Sequence, residues 1–589
     1  MSLDLLSRVA AGGRLPWRAW GPAALAEARE HELPLLILVG ESCDHWSARQ
    51  IALIDEDAEL VDLLRLAFVP VLAATHLHPD LARRAQEAVA LSAGAGGSPV
   101  LCFCTPEAAI IGAVPFRPAR DEGGQTGLAR FCLQVAQIWQ EDPTAVRADA
   151  ADLAAAFTPV PRPLDEGRRV LLLDNVEASA MAASDELAGG FGQAPKRPLP
   201  AVLGFLLQRA GRRQAPPRLR EHLELSCRAL AAGGLHDHLA GGFHRACTDS
   251  GWSVPFFEKR LTEQAQLVPI LLAAADLLDR PLWRHVALQA LDWTLRALVR
   301  PDGSCAHGLH AIGQDDKGRS DNGAHYLWTR PRVAAVCGQE GAGIVAQRFF
   351  DPDLGPGARQ NLAVRGDTDE RAARRLPELC ARLLAARQER PHPAREECAS
   401  LAAHGQLLCA LAAALPHDPA GTYQQHGERL ADLLCDALAL SAPVHAGASA
   451  ADLRAPPVDA LPADAEDLAW AGLGCLAWAE RCDHETARSA ARRAAELLQA
   501  RWQEAAAPIQ GGAGLLPQPV LAVADSDDAP SALAVALRLW CRLHRLDGDE
   551  RWLVVARTWL HGHGGALRQA PLAVAGLAHS WDEASELAT

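Results

Sequence analysis

The stretch LILVGESCDHWSARQ, residues 36–50, runs from four apolar residues into Gly40, a small polar turn, one cysteine and a tryptophan. That is the pattern of a buried strand feeding a strand-to-helix turn. A redox turn of this kind would carry Cys-x-x-Cys. Here Cys43 is followed three residues on by Trp46, and Ser47 comes next. Outward from the turn, AALAEAREHE (23–32) has helical spacing and LPLLILVG (33–40) is an apolar run. DEDAELVDLLRLAF (55–68) is helical again, and VPVLAA (69–74) follows as a strand. GGSPVLCFCTPEAAIIGAVPF (96–116) holds two β-type runs split by a Thr-Pro turn. Alternating helices and short apolar runs predict an α/β sandwich over residues 1–145. Pro99 stands where a strand begins, since proline cannot donate a ladder bond, and Ser98-Pro99 is a candidate cis peptide. Cys102 and Cys104 alternate along one strand face and read as core.

The chain has 589 residues, 49% hydrophobic and 22% charged, the composition of a globular protein with room for about two to four domains. Its formal net charge of −15 argues against nucleic acid as a partner, which needs a basic footprint. The first residues, MSLDLLSRVAAGGRLPWRAW, have no long apolar core and do not read as a signal peptide. No apolar run reaches the ~18 residues of a membrane span. The 15 cysteines are scattered and never spaced as Cys-x-x-Cys, which predicts reduced thiols and a cytoplasmic protein.

Residues 146–170 end in Pro-x-Pro-x-Pro and charge, and read as a linker. From 171 to 589 nearly everything is helical, punctuated by Gly, Pro and Asp. AADLLDRPLWRHVALQALDWTL (274–295) and LHRLDGDERWLVVARTWL (543–560) share one plan of helix, tight turn and helix, with AERCDHETARSAARRAAELL (479–498) a weaker copy. Repeating helical hairpins form an open solenoid or a closed α/α toroid. The copies lack the constant period of about 34 residues of a tetratricopeptide array, which favours the toroid.

Several motifs together resemble the thioredoxin-domain-containing family of the spermatogenesis-associated type. They are LPWRAW (15–20), GESCDHWS (40–47), GGFGQAPK (189–196), GGLHDHLAGGFHRACTDSGWSVPFFEKRLTEQAQL (233–267) and NGAHYLWT (322–329). The resemblance covers most of the chain. It implies a thioredoxin-like α/β domain followed by an (α/α)6 toroid like those of six-hairpin glycosidases and N-acylglucosamine epimerases. The family turn reads Cys-His-Trp-Cys. Anchored on Gly40, His45 and Trp46, that register puts Asp44 and Ser47 at the two cysteine positions and Cys43 one residue early. In the other register only one thiol remains. Disulfide exchange needs an accessible thiolate and a resolving thiol, so a redox-inactive, structural first domain is expected.

The densest set of unusual residues lies in 233–267. A sugar-like ligand needs an apolar platform with charged hydrogen-bonding groups around it. Matching the family pattern assigns Trp252 as the platform and Arg245 and Lys259 as donors. Glu258, Asp249 and His244 are the candidate catalytic groups, and Asp237 and Asp467 further binding positions. With Pro255 before it, Glu258 is expected to open a helix and to stay ionised against the helix dipole. Each residue also has a plainer reading: Lys259 and Glu263 as a surface ion pair, Trp252 as core, His244 as a loop anchor. Other polar positions of the family are replaced here, by His310-Ala311-Ile312, Asn322-Gly323 and Ala403-His404-Gly405. His310 and His404 are candidate replacement acid/base groups. His236 and His238 lack a third ligand at a convincing spacing, so no metal and no cofactor is expected. Two functions stay open: a carbohydrate-active or sugar-binding toroid, or a pseudoenzyme that binds a protein partner.

Overall fold

The computed structural model describes residues 5–586 except 95, 158–162, 165–168, 316, 441, 448, 456–461 and 512–513. Its first unit is a five-stranded sheet in the order β1-β3-β2-β4-β5. The strands are β1 (Arg18–Ala19), β2 (Leu35–Gly40), β3 (Val69–Ala74), β4 (Val100–Cys104) and β5 (Ile110–Pro115). β2 is parallel to β3 and antiparallel to β4, pairing Ile37 with both Val71 and Cys102. β1 is parallel to β3, and β5 is antiparallel to β4. Because side chains alternate across a sheet, the central strands feed two cores. Leu35, Ile37, Val39, Cys102 and Cys104 pack with Leu25, Leu81 and Val89 on one face. Leu36, Leu38, Leu101 and Phe103 pack with Ile51, Leu64 and Leu128 on the other. Both cysteines of β4 are therefore core, and the Ser98-Pro99 peptide is cis.

This unit does not end at residue 145. Pro143–Ala156 is a helix, with Pro143 in its first turn and Asp142 accepting from the backbone N–H groups of Thr144 and Ala145. Asp142-Pro143 is a helix start, where proline loses no hydrogen bond, and the helix runs into the expected linker. The helix packs on β5, and Arg84 lies 4.5 Å above the Phe157 ring that follows it. Much of the proline-rich remainder of the expected linker lies outside the described residues. Leu164 within it is buried in the toroid core and donates its N–H to His561 O at 2.7 Å.

The second unit is a ring of helical hairpins. Six inner helices follow one another: Pro200–Ala210, Leu261–Leu277, Leu401–Ala414, Ala465–Cys482, Ala532–Asp547 and Ala575–Glu586. Each packs on the next, and the sixth returns onto the first. The ring is closed. Outer helices alternate with them, from Pro217–Ala232 and Pro281–Ala297 to Glu550–His563, and Arg169–Ala182 packs outside the sixth. An additional pair, Arg330–Phe349 and Glu370–Gln388, carries its own small core. The inner helices are Ala- and Leu-rich almost all round, as expected for helices buried between two layers. The third and fourth approach most closely at Gly405 and Gly474. A Cβ on Gly405 would lie 2.3 Å from Trp470 O, and one on Gly474 would lie 2.5 Å from Gly405 O.

Candidate functional site

The thioredoxin-like turn is driven into one end of the ring. Asp44 caps the helix His45–Glu56, its Oδ1 accepting from Ser47 N–H at 2.5 Å, and its Oδ2 accepts from Ser98 Oγ at 2.8 Å. The two positions that match the family cysteines are therefore joined by a capping hydrogen bond instead of a disulfide. Cys43 is wholly buried, and its carbonyl accepts from Ala311 N–H at 2.9 Å. Burial, with Glu41 and Glu396 nearby, pushes its thiol well above the ordinary range.

Glu41 meets the toroid. Arg260 Nη1 donates to it at 2.6 Å and His307 Nε2 at 3.2 Å. Against the upward push of burial, these neighbours hold its carboxyl well below the usual range. Arg260 is shared with Glu263 and with Asp528, 2.6 Å away. The His76 ring stacks on His307 at 3.8 Å and donates to Cys398 O. Arg83 and Arg84 donate to Ala524 O and Pro519 O. These contacts fall on the loops that open the second to fifth inner helices, so the thioredoxin-like unit closes that mouth.

Two groups here have ligand atoms close enough for a metal, Glu41/His76/His307 and His445/Asp464/Asp467, each within 4.8 Å. In the first, the Arg260 guanidinium already supplies the cation at Glu41. In the second, both His445 nitrogens donate, Nδ1 to Asp467 at 2.5 Å and Nε2 to His76 O at 2.9 Å. Against the downward push of burial, the Asp467 and Asp464 carboxylates raise the imidazolium to about 10.

The expected site residues turn out to hold the protein together. Trp252 sits in the core with φ +58°, its indole N–H on Gly189 O at 3.2 Å. The same Gly189 O accepts from Lys196, which pairs with Asp185 at 2.7 Å, so GGFGQAPK and Trp252 form one packing unit. Asp249 accepts from the N–H groups of Gly251, Ser253 and Val254 and serves its own loop. His244 Nδ1 donates to Phe257 O at 3.0 Å, and burial lowers the ring to about 3, so it is neutral.

Lys259 is not on a surface and does not pair with Glu263. Its Nζ lies 2.6 Å from Asp237 and 4.5 Å from the Trp293 ring centre, while Arg387 meets the same Asp237 twice at 2.9 Å. Asp467 is saturated by Ala402 N–H, Asp464 N–H and His445. His310 Nδ1 accepts from Ile312 N–H. His404 spans Ser400 O and Cys305 N–H. Burial lowers both rings to about 4, which removes them as acid/base candidates near neutrality.

Glu258 precedes its helix, which begins at Leu261, so no helix dipole acts on it. Burial pushes it to about 7, Arg245 opposing the rise. The pair is 2.8 Å apart but poorly aligned, leaving Arg245 Nε and Glu258 Oε1 without a hydrogen-bond partner among the described residues.

A cavity able to hold a ligand lies elsewhere. A cavity of about 930 Å3 runs between the inner helices, and all six contribute to its wall. Its polar lining includes Gln266, Gln406, Glu480, Arg538, Arg542 and Glu583. It extends to Leu277, Arg481 and Leu546, at the C-terminal ends of inner helices, away from the thioredoxin-like plug. Arg538 pairs with Glu583 at 2.9 Å, and Arg542 with Glu480. Sequence reasoning passed over these residues. The signal was there: Arg538 and Arg542 are four apart among the apolar residues of ALAVALRLWCRL (532–543), where a partly buried charge needs a reason.

Residues 6–158 match a family model described as "Protein of unknown function, DUF255" (Thioredox_DsbH). The chain is 27% identical over 334 residues to spermatogenesis-associated protein 20 of Homo sapiens, covering 54% of this chain and 42% of that protein. It is 25% identical over 364 residues to an uncharacterized protein, B0495.5, of Caenorhabditis elegans, covering 60% and 50%. The chain thus spans about half the length of the curated relatives it matches. The resemblance read in the sequence is borne out: a thioredoxin-like family region at the start of a chain related to the spermatogenesis-associated proteins. Among solved structures it is similar to a cellobiose 2-epimerase from Spirochaeta thermophila (TM-score 0.42, 13% identity, 72% of this chain and 97% of that one). A D-mannose isomerase is similar at TM-score 0.42 and 10% identity, over 72% and 98%. The closed ring rests on its own helix packing, independently of these likenesses.

Proposed function

We propose that this protein is a ligand-binding α/α toroid whose thioredoxin-like domain has become a structural plug, and whose lumen takes a small sugar-like molecule. The observation that carries the reading is the cavity of about 930 Å3, walled by all six inner helices and dotted with amide and charged side chains on an apolar background. Small-molecule sites of roughly 300–1,000 Å3 with a few convergent polar groups have this character. Its two carboxylates, Glu480 and Glu583, are each tied to an arginine, which suits accepting hydrogen bonds from hydroxyls better than proton donation. The reading is therefore binding, with no hydrolytic step assigned. No helix among the described residues is long and apolar enough to cross a membrane.

Calorimetric titration of the full chain with a panel of hexoses, disaccharides, polyols and their charged derivatives tests the ligand. Saturable heat with at least one class is expected; no heat with any of them overturns it. The plug makes a separate prediction. In an insulin-reduction assay beside authentic thioredoxin, the protein gives no turnover, because Cys43 is buried and has no resolving thiol. Turnover that Cys43→Ser abolishes would refute that part.

A further inference from the structure

We propose that the lumen ligand is anionic as well as polyhydroxylated, a sugar phosphate or sugar acid, and that it enters between the C-terminal ends of the inner helices. This deepens the sugar-type reading above and rests on it.

The floor of the cavity is built for a neutral, hydrogen-bonding body. Gln406, 2% exposed on the third inner helix, leaves its Oε1 without a partner among the described residues. Trp470, 4% exposed on the fourth, leaves its Nε1–H unpaired among the same residues. Both line the cavity. A buried acceptor and a buried donor, each desolvated and unmet, are costly unless something fills them. A hydroxyl suits either group, accepting from the indole N–H or donating to the amide oxygen.

The outer part is different in charge. Arg481, Arg538, Arg542 and Arg545 line it against two carboxylates, Glu480 and Glu583. Arg538 is matched by Glu583, while Arg542 lies on Glu480 and Arg545 stands 3.8 Å from that same carboxylate. Arg481, exposed at the rim, pairs with no carboxylate among the described residues. The balance is two positive charges in excess, in a protein whose formal net charge is −15. A local cationic rim on an acidic protein attracts anions against the global field. Arginine forks suit the oxygens of phosphate and carboxylate alike. The route follows from the plug, because the other mouth is closed by Glu41, Cys43 and their toroid partners.

The test is calorimetric titration of the full-length protein with glucose 6-phosphate, glucuronate, glucose and inorganic phosphate. One or both charged sugars should bind about tenfold or more tighter than glucose. The preferred one identifies the anionic group. The double variant Arg481→Ala/Arg545→Ala, exposed positions whose loss leaves the fold intact by circular dichroism, should remove most of that advantage and leave glucose unchanged. Gln406→Leu should weaken charged and neutral sugars together. Glucose binding as tightly as both charged sugars overturns this inference and leaves the sugar-binding reading standing. Inorganic phosphate binding as tightly as the sugar phosphate, or affinity within about twofold in the arginine double variant, also overturns it. Failure of every sugar, charged or neutral, overturns both.

Discussion

Asp237→Asn is expected to destabilise the protein by about 3–5 kcal/mol, the cost of breaking a buried ion pair from one side. Asp237 is 6% exposed and faces two cations, Lys259 Nζ at 2.6 Å and the Arg387 guanidinium at 2.9 Å. Both are themselves buried. Burial drives Lys259 down to about 8, Asp237 resisting the drop, which shows how much the ammonium depends on this carboxylate. The same Oδ1 accepts from the N–H groups of Leu239 and Ala240, so it also shapes the loop that leads to Gly241 and Gly242. Asparagine keeps an oxygen for the loop but presents no charge to two desolvated cations. Because Arg387 belongs to the additional helical pair, the change loosens that pair from the ring as well. Denaturant unfolding at pH 7 measures it. The triple change Asp237→Leu/Lys259→Met/Arg387→Met, which removes the charges together, should recover much of the loss. A single-variant loss below about 1 kcal/mol would show that these charges are solvated and the argument wrong.

Acidification below pH 6.5 is expected to destabilise the protein steeply. His78, His244, His325 and His579 are lowered to about 3, and His310 and His404 to about 4, in every case chiefly by burial. Each has a folded pKa below its unfolded value near 6.5. Between those values the unfolded chain holds the proton and the native one does not, so stability rises with pH and falls on acidification. Each fully differing proton is worth about 1.4 kcal/mol per pH unit.

Glu258, raised to about 7, and Asp525 and Glu466, each raised to about 6, act oppositely. Their folded pKa values exceed the unfolded ones, so their contribution is present in acid and lost as pH rises through 6–7. Six histidines against three carboxyls leave a net uptake of roughly three to four protons on unfolding near pH 5. His445, raised to about 10, contributes stability that is full below 6.5 and falls away as pH climbs; Lys259, lowered to about 8, acts oppositely above pH 8, so the decline from His445 shows between 6.5 and 8. Stability measured by denaturant from pH 5 to 10 checks both limbs. A flat profile between pH 5 and 6.5 would mean that water reaches these rings.

The local grammar of the chain was enough for the elements and their class, and closure of the ring was decided by the packing of the sixth inner helix on the first. The apolar run 33–40 before a polar turn, the β-type runs at 96–116 and the repeated hairpins after 171 carry their periodicity in neighbouring residues. Periodicity survives whatever packs against it. The missing Cys-x-x-Cys was also legible, since it is a matter of spacing. Where local signals misled, another local rule had won: residues 146–156 of the expected linker are helical, because Pro143 opens a helix that Asp142 caps.

The site residues were another matter. Trp252, Lys259, Asp237 and Asp467 look the same in sequence whether they line a pocket or lock a core. Only the docking of the additional helical pair on the ring put Lys259 and Arg387, 128 positions apart, on one carboxylate. Glu258 read as an ionised helix-start carboxylate, yet its helix begins later and burial makes it a much weaker acid. Arg538, Arg542, Glu480 and Glu583 became a cavity wall only when the sixth inner helix met the first. Secondary structure follows from which residues stand three or four places apart. What a charged side chain does depends on which charges share its desolvated neighbourhood, and in a toroid those come from distant parts of the chain.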